Sequence, residues 1–204
     1  MKPEERPSIV SLTAPCSRHY GEAMTETGVV HGRFQIFHLD HLKYVLAAKE
    51  RCRRLVVGIT NPDPTLTKLD AADPYRSSSE ANPLTYFERQ SIIRAVLSDA
   101  GINHEDFCTV PFPINFPELY GFYVPLDALF YLTIYDDWGR RKLSMFQSLG
   151  LRVEVLWTKP ASQKGIRATE VRRLIAGGEA WEHLVPPAAA SLIKGMGIAA
   201  RLSR

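Results

Sequence analysis

The stretch His31-Gly-Arg-Phe-Gln-Ile-Phe-His38-Leu-Asp-His41-Leu42 joins a short apolar strand to a helix and places two histidines three residues apart in that helix's first turn. Residues three apart share a helix face, so both imidazoles point the same way as the free N–H groups of the first turn. Such a helix start suits phosphate binding. Upstream, Gly28-Val-Val-His31 begins the strand; downstream, Leu39, Leu42, Val45 and Leu46 recur at helical spacing as far as about Arg51. Arg54-Leu-Val-Val-Gly-Ile-Thr60 is a short β-branched apolar run of the kind buried in a parallel sheet. Strand, helix and strand make a βαβ unit.

Beyond that unit, Asn61 to Asn82 is rich in Pro, Asp and Ser, and it follows a strand's carboxyl end, where ligands of α/β proteins bind. Helical spacing resumes at Leu84 and stops at Gly101, which has the chemistry of a C-cap. Further strands are expected at Phe107–Phe112, Leu129–Tyr135 and Arg152–Trp157, with a helix from Trp138 to Leu149. Five strands alternating with helices predict an α/β fold with a mostly parallel, doubly wound sheet. The loop Thr158–Ile166 leads into Arg167-Ala-Thr169-Glu-Val-Arg172-Arg173, with Thr169 as N-cap and Glu170 in the first turn. The segment from Trp181 to Leu202 reads as terminal helices packed on the sheet. Residues 1–26 show neither period and are expected to form a mobile N-terminal extension, leaving 27–204 as one domain.

Composition sets the limits. The chain has 204 residues, 45% of them hydrophobic, and a formal charge of +3, which reads as a globular domain. No Lys/Arg-rich block is interleaved with aromatics, so a small anionic ligand is expected rather than nucleic acid. No apolar run reaches a membrane-spanning length and the N-terminus lacks a signal-peptide core, so a cytoplasmic protein with no membrane partner is expected. Cys16, Cys52 and Cys108 are odd in number and contain no C-x-x-C, which argues for reduced thiols rather than disulfides or a thiolate zinc site. An isolated H-x-x-H lacks the third ligand zinc requires. Neither G-x-x-x-x-G-K-S/T nor G-x-G-x-x-G is present.

Two patterns, Gly32-Arg-Phe-Gln-Ile-Phe-His38-Leu-Asp-His41 and Ile166-Arg-Ala-Thr169-Glu-Val-Arg172, resemble the H-x-G-H and I-S-x-T-x-x-R signatures of the nucleotidyltransferase superfamily. Among its branches the chain is most similar to the archaeal-type nicotinamide mononucleotide adenylyltransferases. Gly32-Arg-Phe-Gln, Asn82-Pro-Leu-Thr-Tyr-Phe-Glu-Arg89, Thr169-Glu-Val-Arg-Arg and Trp181-Glu-His-Leu-Val-Pro carry that likeness, which spans residues 28–202. The resemblance implies a Rossmann-like domain and transfer of a nucleoside monophosphate from a nucleoside triphosphate to a small phosphate-bearing acceptor, with release of pyrophosphate. It makes His38, His41 and Arg172 catalytic, with His38 and His41 on the triphosphate and Thr169 and Arg172 on its β- and γ-phosphates. Gly32, Arg33, Phe34, Lys164 and Ile166 complete the nucleotide site. Mg2+ bridging the phosphates, held mostly by substrate oxygens and water, is implied too, as is self-association into a homo-oligomer.

Physical chemistry makes the same reaction plausible. In-line attack on a triphosphate by another anion needs N–H groups and cations aimed at the phosphates, and an ionised phosphate or phosphonate oxygen needs no general base. The acceptor side is less defined. Asp136 and Asp137 either cap the following helix or contact the acceptor; Tyr120, Phe122 and Tyr123 are core aromatics or an acceptor wall; Asn115, Tyr120 and Asp136 are the candidate acceptor residues. Asp40 replaces the glycine usual between the histidines, Arg167 stands where serine is usual, and Thr133-Ile-Tyr-Asp-Asp-Trp differs from the adenylyltransferases. The first specific expectation is adenylylation of nicotinamide or nicotinate mononucleotide. The second is CTP-dependent cytidylyl transfer to a small phosphonate or phosphorylated alcohol, and the third a non-catalytic nucleotide-binding regulator.

Overall fold

The computed structural model describes residues 24–68 and 74–203. The predicted mobile extension therefore lies, up to residue 23, outside the described residues. Five parallel strands, β1 (Thr25–Gly32), β2 (Cys52–Ile59), β3 (Phe107–Pro111), β4 (Leu129–Ile134) and β5 (Arg152–Thr158), form one sheet in the order β3-β2-β1-β4-β5. The first strand thus begins at Thr25, earlier than its apolar run suggested, because Thr25 and Thr27 already pair with Cys52 and Arg54. The chain builds outward from β1 to β3, then crosses to β4 on the other side of β1. That reversal leaves a crevice at the carboxyl ends of β1 and β4.

Strand side chains alternate between two cores. Val30, Leu55, Val57 and Tyr131 pack with α1 (Leu39–Lys49) and α2 (Tyr86–Asp99), whereas Val29, Val56, Phe130 and Leu132 pack with Phe146 of α3 (Asp137–Ser148). Both faces are covered, which is why these strands read as nearly continuous apolar runs. Helix α2 starts with a reciprocal capping box between Thr85 and Glu88. It ends in a Schellman turn: Gly101, at φ +80, donates to the Ser98 carbonyl and Ile102 to that of Leu97.

The remaining helices are α4 (Ala168–Ala176), α5 (Pro187–Gly195) and α6 (Ile198–Leu202). The segment from Trp181 to Leu202 is expected on the sheet, but α5 packs mainly on α2, and α6 on α4 and α5. Val171, Ala189, Ile193 and Ile198 of these helices join the same core as Val30 and Val57 of the sheet. Among the described residues no helix is long and apolar enough to cross a membrane.

Candidate active site

A cleft of about 570 Å3 opens at the carboxyl ends of the strands, at the reversal between β1 and β4. Its rim starts with the loop from His31 to His38. Gly32 is required there, because a Cβ at this position would lie 2.8 Å from the Phe34 ring. Phe34 adopts a left-handed φ of 52°, unusual for an aromatic residue, and its ring is held against Phe37 and His41. Two long-range ties fix the loop from below. The Gln35 amide both donates to and accepts from the Leu84 backbone. The Arg172 guanidinium donates to the Gln35 carbonyl.

Arg89, only 1% exposed, anchors the neighbouring loops by donating to the carbonyls of Arg33, Thr60, Asn61, Pro62 and Thr85. Burial lowers its pKa to about 10, still well above neutrality, so it is a buried cation satisfied by carbonyls.

His38 is the N-cap of α1, so the helix begins where the sequence placed it. The His38 and His41 rings stack with centroids 3.6 Å apart, and the His38 backbone N–H donates to His41 Nδ1 at 3.4 Å. With Nδ1 accepting, the proton of a neutral His41 ring resides on Nε2. Burial lowers the His38 pKa to about 4, with the Asp40 charge opposing and Lys164 reinforcing the shift. His41 is held well below its ordinary value by burial and then by His38, Arg33 and Lys164, against a backbone hydrogen bond to Ile36. At neutral pH both rings are therefore neutral N–H donors. The fixed positive charge comes from Arg33, Arg76, Lys142, Lys164 and Arg167, which line the cleft with, among the described residues, two carboxylates, Asp40 and Asp136.

Those carboxylates are already engaged. Asp40 Oδ2 accepts from the Ile166 backbone N–H at 2.7 Å. A Cβ at Gly165 would lie 2.4 Å from the same oxygen, so glycine there admits the contact. The residue that departs from the usual motif thus ties the histidine helix to the second motif. Asp136 Oδ1 caps α3 by accepting from Gly139 N–H at 2.9 Å, and its Oδ2 pairs with Lys164 Nζ at 3.2 Å. Burial pushes the Asp136 pKa up, but the Gly139 and Lys164 contacts hold it below the usual carboxylate range.

Gly32, Arg33, Phe34, His38, His41, Lys164, Ile166 and Thr169 come together in the cleft, as do Asn115 and Asp136. Tyr120 does not: it is 1% exposed, its ring packs 4.5 Å from that of Phe112, and its hydroxyl donates to the Ile114 carbonyl. The aromatic is core, and its expected acceptor role is withdrawn. Arg172 lies behind the loop rather than on the cleft wall, bound to Gln35 and, at 3.4 Å, to the Thr169 hydroxyl. Thr169 is not the N-cap either: Arg167 occupies that position and α4 starts at Ala168.

Sequence reasoning missed His31 and Lys142, both on the cleft wall. His31 closes β1 just before the glycine, and Lys142 lies one turn before the buried Phe146, a spacing that puts it on the inward face of α3.

The family model described as cytidylyltransferase-like matches residues 29–174. The chain is 51% identical over 181 residues to a phosphonoformate cytidylyltransferase of Streptomyces viridochromogenes, covering 89% of this chain and 97% of the relative. It is 31% identical to a nicotinamide-nucleotide adenylyltransferase of Ignicoccus hospitalis, covering 84% and 92%. The fold matches a bifunctional NMN adenylyltransferase/ADP ribose pyrophosphatase of Francisella tularensis, with a TM-score of 0.60 at 17% identity, over 85% of this chain and about half (50%) of that one. With both signature motifs brought to one cation-lined cleft, the chain belongs to the cytidylyltransferase-like family and is a nucleotidyltransferase.

Proposed function

We propose that the protein is a CTP-dependent cytidylyltransferase that joins CMP to a small phosphonate acceptor and releases pyrophosphate. The observation that carries this reading is the 51% identity to a phosphonoformate cytidylyltransferase across nearly all of that relative. It exceeds the 27–31% shared with the nicotinamide-nucleotide adenylyltransferases. The order of the two transferase expectations is therefore reversed, and the regulator falls away.

In this reading the triphosphate lies across the starts of α1 and α4, where backbone N–H groups of the first turns lack helical partners. His38 and His41 donate ring N–H groups to it, His41 exchanging its Ile36 contact for the α-phosphate. Lys164 exchanges its Asp136 partner for phosphate, and Arg33 adds charge from the loop. Thr169 meets the distal phosphates, and Arg172 serves by bracing Gln35 and Thr169. An ionised phosphonate oxygen then attacks the α-phosphorus, the bond to the bridging oxygen breaks, and pyrophosphate carries away the electron pair. No side chain has to take a proton.

Among the described residues no cluster of three metal-ligating side chains exists, and both cleft carboxylates are engaged. These residues fit Mg2+ that arrives on the triphosphate with water completing its shell. Such an ion would neutralise charge on the phosphates.

Pyrophosphate release from CTP or ATP, each with phosphonoformate or nicotinamide mononucleotide, tests the proposal. Turnover with CTP and the phosphonate is expected. Turnover confined to ATP and nicotinamide mononucleotide would overturn it.

A further inference from the structure

The triphosphate chemistry uses neither His31 nor Lys142, yet both line the inner wall of the cleft. His31 is 6% exposed, its ring sits 5.5 Å from Phe112 and 5.2 Å from Phe146, and both of its nitrogens are buried without a hydrogen-bond partner. A buried imidazole with two orphaned nitrogens is destabilising unless something else needs it there. Lys142 lies one turn before Phe146, so His31 faces the same flank of α3.

Among the described residues, the charges acting on Lys142 are mostly positive. Lys142 is repelled by Arg76 and Lys164 and attracted by Asp136, whose oxygens are already held by Gly139 and Lys164. Burial first, and then these cations, lower the Lys142 pKa to about 8. His31 is kept neutral by its burial and by Lys142 beside it. A neutral donor and an under-compensated cation side by side describe a receptor for a compact anion. Asn115 adds an amide to the same cleft.

We propose that His31 and Lys142 form an acceptor subsite that holds a second acid group, so that the enzyme selects small acceptors carrying a carboxylate or similar anion beside the phosphonate. This rests on the cytidylyltransferase reading for the reaction, though not for the binding. The phosphonate faces the histidines of α1 and the second acid group turns inward to Lys142. An acceptor with a neutral tail would leave Lys142 unpaired and lose affinity.

The experiment compares the full chain with Lys142→Met, Lys142→Arg, His31→Leu and Asn115→Ala. Calorimetry measures binding of phosphonoformate and of methylphosphonate, which lacks the second acid, without nucleotide. Wild type is expected to prefer phosphonoformate at least tenfold. Lys142→Met should abolish that preference, and Lys142→Arg should restore part of it. His31→Leu, close in volume and apolar, should raise the melting temperature while weakening phosphonoformate binding, a combination a purely structural histidine would not produce. Equal binding of the two phosphonates by wild type would overturn the proposal, as would unchanged selectivity in Lys142→Met. A drop in melting temperature with binding intact would remove His31 from it. Turnover with ATP in place of CTP would refute the nucleotide assignment while leaving the calorimetric result to decide the subsite.

Discussion

At the residue scale, Asp40 changes meaning between sequence and structure. In the sequence it is an acid where a glycine is usual, beside the phosphates. In the fold its oxygen receives the Ile166 N–H, and Gly165 leaves the space for it. Removing it in Asp40→Gly is expected to cost about 1 kcal/mol of stability and to raise the CTP KM several-fold, because Ile166 and the following helix start lose their anchor. Gly165→Ala should mimic that loss by forcing the pair apart, and should be nearly silent when Asp40→Gly is already present. Urea denaturation and CTP KM on the double-mutant cycle check this coupling; simple additivity would refute it. For His41→Ala, kcat is expected to fall about a hundredfold with little change in CTP binding, as for a donor that acts mainly in the transition state. Stopped-time pyrophosphate release and calorimetry separate the two effects.

At the scale of elements, α2 underlies the site although none of its residues lines the cleft. Arg89 reaches from it to carbonyls of the loops after β1 and β2, holding both rims with one side chain. Arg89→Met leaves those carbonyls buried and unpaired, so a loss of about 3 kcal/mol or more is expected. Arg89→Lys, with three donors on a compact ammonium, should recover only part of it. Chemical denaturation measures both. The elements themselves were legible, because a sheet covered on both faces writes short apolar runs between helical periods. The joints were not. Thr169 has the chemistry of a cap, yet Arg167 takes that position and the helix starts two residues earlier than a Thr169 cap would place it, just after Ile166, which Asp40 pins from 126 positions away. Tyr120 looks like a ligand wall from its neighbours and is core because Phe112 and Phe146 close over it. Lys142 and His31 gain their significance only from each other, across the reversal of the sheet. No local pattern encodes that meeting.

At the scale of the whole molecule, two buried imidazoles and the half-buried His41, gathered at one end of the sheet, tie stability to pH. His31, His38 and His41 all have folded pKa values below the unfolded value near 6.5, with burial the first cause in each. Above about pH 6.5 the folded and unfolded chains both hold them neutral, and the linkage is silent. Below it, the unfolded chain takes up protons that the folded chain refuses, so stability falls as the pH drops. For His38, whose folded pKa is about 4, the loss continues until about pH 4 and reaches about 3 kcal/mol. Thermal melts between pH 7 and pH 4.5 should show this decline, and His38→Gln should lessen it, leaving the part that His31 and His41 contribute. A bound polyanion reverses the local preference, since phosphate beside the imidazoles favours their charged forms. Pyrophosphate at saturating concentration should therefore stabilise the protein more at pH 5.5 than at pH 7.5, relative to the free protein at each pH, and its binding should take up protons. Calorimetry in buffers of different ionisation enthalpy measures that uptake directly; zero uptake at pH 6 would place the anion away from the histidines.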